Sequence, residues 1–182
     1  SKKNKLIELS KSTATQSTLV IDDNSSCHYK RYNKDYLTNG GLKILKKKII
    51  FEKNYWKINA SHDGYLKKYY TTHEREIEFY PEQFKFIGTD KILNKKFNLN
   101  LKFDIRFHLE PDIKLMKTQD NKVILIKLDD EGWKFTCNNF DINIDNGLYF
   151  GKKNSYTQNQ NIFISGITRN QNENIVWQLS KI

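Results

Sequence analysis

His62 and Asp63 stand side by side at the end of an alternating segment, followed by Gly64 and Tyr65. An imidazole next to a carboxylate can do three things. A neutral ring nitrogen can ligate a metal, with the carboxylate as co-ligand or as the group that orients the ring. The imidazole can move a proton as a general acid or base. Or both side chains can hydrogen-bond the backbone of a corner that Gly64 permits. Upstream, the hydroxyl-rich stretch Ser12 to Ile21 ends in Asp22-Asp23. Asp22 or Asp23 could join His62 at a metal, or could close an Asx-type turn. Arg106 and His108 share the polar side of Leu101–Leu109 with Lys102 and Asp104. A guanidinium fork there would suit a sugar carboxylate, and the same row would also serve as a wet strand face. Tyr55-Trp56 and Tyr69-Tyr70 could offer stacking platforms to sugar rings, while Trp133 and Trp177 read as core.

Other chemistries lack their signatures. There is no glycine-rich phosphate loop, nucleophile elbow, zinc-finger spacing or basic helix. Cys27 and Cys137 have no metal spacing, and leave one disulfide and two free thiols equally open.

The elements that must position these groups read as strands. Leu101–Leu109 is apolar at every odd position and polar at every even one, the mark of a strand with one face on a core. The pattern predicts further strands at 18–21, 43–51, 55–60, 72–79, 84–88, 113–118, 123–128, 133–137, 140–144, 160–168 and 174–179. Turn signals separate them, among them Asp129-Asp130-Glu131-Gly132 and Asp145-Asn146-Gly147. Residues 28–42 read as a loop ending in Gly40-Gly41, and residues 1–12 as a flexible linker remnant. Short strands recurring about every 8–12 residues predict an all-β fold, an antiparallel β-sandwich of about a dozen strands over 13–182.

At 182 residues with 37% apolar content, the chain is long enough for one domain with a real core. It has no apolar run long enough for a membrane-spanning helix, so no membrane partner is expected. The net charge of +10 comes from 27 Lys and 4 Arg. Lysine drift onto solvated faces explains such an excess, and so does attraction to a polyanion. Scarce arginine argues against a nucleic-acid partner, which uses the bidentate fork on phosphate and guanine.

Several segments in order resemble the C-terminal β-sandwich of the heparinase II/III-like family, nearest to its uncharacterised alphaproteobacterial branch. They are Ala14–Leu19 with Asp22–Ser26, Trp56 through Ala60-Ser61-His62-Asp63-Gly64-Tyr65, His73-Glu74-Arg75, and Ile105–Leu109 with Pro111. Gly132–Phe135, Ile164–Gly166 and Trp177 complete the set, which spans nearly the whole chain. The resemblance implies the sandwich part of a polysaccharide lyase, which cleaves uronic-acid chains by β-elimination. An α/α toroid would precede it and act as its intramolecular partner, with an acidic polysaccharide held between the two. It implies zinc in the sandwich of some relatives, and places His62 and Asp23 where ligands would be. His62, Arg106 and Gln16 are then the substrate-facing groups. Gln16 stands where relatives often carry a histidine, and glutamine cannot titrate. Most catalytic groups of the family come from the toroid, so the domain alone is expected to be inert. A bacterial origin is implied, with periplasm and cytoplasm both open. The alternative expectations are a free-standing carbohydrate-binding or structural sandwich and, behind it, a nucleic-acid-binding barrel.

Overall fold

The computed structural model describes residues 2–32, 35–39, 42–96, 100–151 and 155–182. In chain order the elements are α1 (Lys2–Ser10), β1 (Leu19–Ile21), β2 (His28–Tyr32), β3 (Asp35–Asn39), β4 (Ile44–Glu52), β5 (Tyr55–His62) and α2 (Leu66–Tyr69). There follow β6 (Thr71–Tyr80), β7 (Lys85–Asn94), β8 (Lys102–His108), β9 (Lys114–Lys117), β10 (Val123–Leu128), β11 (Glu131–Cys137), β12 (Ile142–Tyr149), β13 (Thr157–Ile167) and β14 (Asn172–Lys181). Short 3₁₀ turns lie at Thr13–Thr15 and Pro81–Gln83.

The strands build a sandwich from two antiparallel sheets. One has eight strands in the order β4-β5-β6-β7-β14-β11-β10-β9, and the other has four in the order β1-β8-β13-β12. A separate β2-β3 hairpin stands apart. Alternation decides which side chains meet between the layers. Leu19, Ile21, Phe103, Ile105, Ile142, Ile162 and Ile164 of the small sheet are buried in one cluster with Ile92, Ile124, Phe135, Ile175 and Trp177 of the large one. Phe107 sits between Phe135 and Trp177, with ring centroids 4.9 and 4.8 Å away.

The small sheet does not cover all of the large one. On β5 the usual rule is inverted: Asn59 and Ser61 are buried at 2% and 8%, while Trp56 and Ile58 of the opposite side are 38% and 52% exposed. Their register partners on β4, Phe51 and Ile49, are 74% and 59% exposed. Phe51, Trp56, Phe79 and Phe86 form an aromatic ladder across four strands, with centroid steps of 4.9, 5.1 and 4.3 Å. The reverse side is closed by a charge ladder. Asn59 donates to Glu74 at 3.0 Å and to Glu76 at 2.9 Å. Lys46 and Lys91 flank Glu74, and Lys57 lies between Glu76 and Glu78 at 2.8 and 3.2 Å. Burial alone would raise these glutamates, but the hydrogen bonds from Asn59, Tyr80 and the lysines more than offset it, so all three are depressed.

Several expectations shift. Residues 2–10 are helical instead of a ragged linker. The expected 28–42 loop holds the β2-β3 hairpin, and Gly40-Gly41 lie outside the described residues. The expected turn at Asp145-Asn146-Gly147 is continuous strand, part of β12 paired with β13. Gly147 is needed there for close approach, because a Cβ would fall 2.0 Å from the Asn161 side chain. Cys27 and Cys137 are free thiols.

Candidate functional site

His62 closes β5 and faces His73 across the β5-β6 pair, and Arg75 faces Asp90 across β6-β7. Strand register alone therefore brings the four together on the inner face. His62 Nε2 is 3.3 Å from His73 Nδ1, and His73 Nε2 is 2.7 Å from Asp90 Oδ1. Arg75 grips the same carboxylate with Nε at 2.8 Å and Nη2 at 3.0 Å, and Trp177 Nε1 donates to it at 2.9 Å. Asp90 is fully buried. Burial would raise its pKa, but the Arg75 charge and then the His73 hydrogen bond hold it at about 2.

The far end of this chain sets every proton in it. Gly64 N–H donates to His62 Nδ1 at 3.2 Å, so that nitrogen carries no proton. The ring proton of His62 then sits on Nε2 and points at His73 Nδ1, which must accept. His73 in turn donates from Nε2 to Asp90. Both rings are neutral and every donor finds an acceptor. Burial, helped by His73 and opposed by Asp63, lowers the His62 pKa to about 4, in keeping with a neutral ring.

The chain ends on the opposite layer. Arg75 Nη1 donates to the carbonyl of Ser17. Ser17 is held from its other side as well, because its Oγ accepts the His108 N–H at 2.9 Å. Beside it lies a cleft of about 470 Å³ lined by Ser10, Thr15, Gln16, Ser17, His108 and Tyr149. Gln16 is exposed, with its amide donating to the Ser10 carbonyl at 3.2 Å. His108 donates from Nε2 to the Ala14 carbonyl at 3.0 Å, and burial lowers its pKa.

The residues singled out by sequence thus do not form one constellation. Gln16 lines the cleft. Arg106 lies two residues from His108 on the same strand, but Asp104 and Asp145 hold its guanidinium at 3.7 and 3.5 Å, and it lies over the Phe163 ring. His62 is committed to the buried chain that braces Ser17. Asp23 is exposed, with Lys102 Nζ 3.6 Å away. In this arrangement His62 and Asp23 are each engaged elsewhere. Both ring nitrogens of His62 are engaged, and a metal on Nε2 would cut the path to Asp90. Among the described residues no three His, Cys, Asp or Glu side chains converge as ligands. Asp90, the hub of the cluster, was missed. It sits at an apolar position of β7, in register with Phe86, Gly88 and Ile92, and a carboxylate at such a position is itself a signal of burial with partners.

Known proteins share this fold. A family model described as heparinase II/III-like, C-terminal, matches residues 2–178. No curated protein matches the chain. Among solved structures, heparan sulfate lyase HepC from Pedobacter heparinus is similar with a TM-score of 0.76 at 13% identity, over 98% of this chain and 26% of that one. A heparinase III structure is similar with a TM-score of 0.71 at 12% identity, over 98% of this chain and 25% of that one. At these identities the likeness shows the fold. The chain spans about a quarter of the length of these enzymes.

Proposed function

Since the chain belongs to the heparinase II/III-like family, as its C-terminal domain, we propose that it forms the sandwich wall of an acidic-polysaccharide lyase. The reaction is β-elimination on a uronic-acid chain. A base takes the proton at C5, its electron pair becomes the C4–C5 double bond, and the C4–O bond breaks onto an oxygen that an acid protonates. Gln16 supplies no proton. Its amide nitrogen donates to the Ser10 carbonyl and to Thr15 Oγ1, its amide oxygen can accept from a sugar hydroxyl, and the chain through Arg75 keeps its neighbour Ser17 in place. The titrating groups come from an α/α toroid in the same protein.

The observation that carries this reading is the inverted strand β5. A sheet that buries Asn59 and Ser61 and exposes Trp56, Ile58, Ile49 and Phe51 is built for a further layer. The helical part of the same polypeptide is the occupant this reading assigns. Relatives with this fold carry about three-quarters of their length outside the matched region. A second copy joined edge to edge is disfavoured, because β4 is the sheet edge and carries Lys46-Lys47-Lys48. The full-length gene product incubated with heparan sulfate, unsulfated heparosan and alginate should release unsaturated ends, read by ultraviolet absorbance. No product from any of them would refute the lyase reading.

A further inference from the structure

A second cleft, of about 480 Å³, opens between α2 and the 24–28 segment, apart from the Gln16 cleft. Its polar lining includes Ser25, Ser26, His28, Lys67 and Lys68, with the Tyr69 ring beside them. Lys68 Nζ donates to Asn24 Oδ1 at 2.7 Å and lies 5.1 Å from the Tyr69 ring centroid. Just beyond, Tyr70 ends α2 in the left-handed conformation, with φ of 53°. A bulky residue rarely adopts this conformation, and here it leaves the ring 45% exposed. Lys96 Nζ stands 3.4 Å over that ring, and the backbone of Lys95 is tied to the Tyr70 carbonyl at 2.8 Å.

Charge separates this corner from the rest of the surface. On the sheet, Lys46, Lys57 and Lys91 are each matched by a glutamate. Among the described residues, Lys67, Lys68, Lys95 and Lys96 share an aromatic corner with no carboxylate in ion-pair range. The acids around it are engaged elsewhere: Asp63, just before α2, accepts the Lys43 N–H at 2.7 Å, Asp23 faces Lys102, and the Asp22 carboxylate accepts the Lys102 N–H at 3.2 Å. Unmatched ammonium groups around two tyrosine faces suit a ring with one apolar face and anionic substituents at its edge.

We propose that the α2 corner is a binding site for a carboxylate- or sulfate-bearing sugar chain. Tyr69 and Tyr70 stack the rings, and Lys67, Lys68 and Lys96 take the anions. The ligand class rests on the family reading above, but the site needs no cleavage. Single-stranded nucleic acid also combines anions with flat rings, yet among the described side chains no arginine fork contributes to this corner.

The 182-residue chain is titrated by calorimetry with a heparan sulfate hexasaccharide, an alginate hexamer, a dextran hexamer and a single-stranded DNA dodecamer at one salt concentration. At least one acidic sugar should bind, and dextran should not. Lys67→Glu with Lys68→Glu should weaken binding about tenfold or more, and Tyr70→Ala about threefold or more. A charge-matched control, Lys53→Glu with Lys127→Glu, should stay within about twofold of wild type. All four lysines are exposed, so neither pair threatens the fold. Failure of both acidic sugars to bind would overturn the site. So would equal weakening by the two lysine pairs, or DNA binding as tight as that of the best sugar. Because binding is read without cleavage, an inactive parent enzyme refutes the lyase reading and leaves this result standing on its own.

Discussion

The buried chain from Gly64 through His62 and His73 to Asp90 has one consistent set of protons, and that makes it testable. Nitrogen-resolved NMR should find His62 and His73 both neutral, each protonated on Nε2. Its pH dependence has a definite sign. The folded pKa of His62 is depressed to about 4 from an ordinary 6.5, so in this interval the unfolded chain holds a proton that the native ring does not. The contribution is complete above pH 6.5 and is lost as pH falls toward 4, by no more than about 3 kcal/mol. Asp90 adds a second loss between its unfolded value of 3.8 and about 2. Urea midpoints measured from pH 7 to pH 2 should fall accordingly, and His62→Gln should flatten the upper part of that fall. Asp90→Ala strands a partly buried guanidinium and two buried hydrogen-bond donors, and should cost about 3 kcal/mol or more in the same assay. Gln16→Ala should leave the fold intact and, under the proposed reading, lower kcat/KM of the full-length gene product about tenfold, the scale of one lost hydrogen bond.

Among the elements, the strands were legible because two-residue alternation survives wherever one face is wet. Val123–Leu128 matches its expected range, and Lys102–His108 lies within its expected segment. Where the sequence misled, a residue type had two uses. Asp145-Asn146-Gly147 has turn composition, but its glycine serves a crowded crossing inside β12. Residues 2–10 are too polar to announce a helix by periodicity. The candidate site was half legible. His62 and Gln16 stand out by residue type and setting, but pairing His62 with His73 and Asp90 depends on the register of three strands, which composition does not encode. Gly88 shows how tight those strands are, because a Cβ there would lie 2.0 Å from the Trp177 ring that donates to Asp90. Gly88→Ala should therefore destabilise by about 1–3 kcal/mol and shift the Trp177 fluorescence.

At the scale of the whole molecule, the two sides of the large sheet hold unlike chemistry in an unusual arrangement. Matched charges close the polar side of β5 and β6, while the aromatic ladder from Phe51 to Phe86 lies beyond the reach of the small sheet. A net charge of +10 does not explain an exposed Phe51 beside an exposed Trp56. A covering layer does. Hydrogen exchange on the full-length gene product, set beside the 182-residue chain alone, tests this most directly. If the aromatic side of β4 and β5 is an interface, amides of these strands should exchange at least about tenfold more slowly in the full-length gene product, while those of β10 stay unchanged. Equal exchange on β4 and β5 in the two would contradict it.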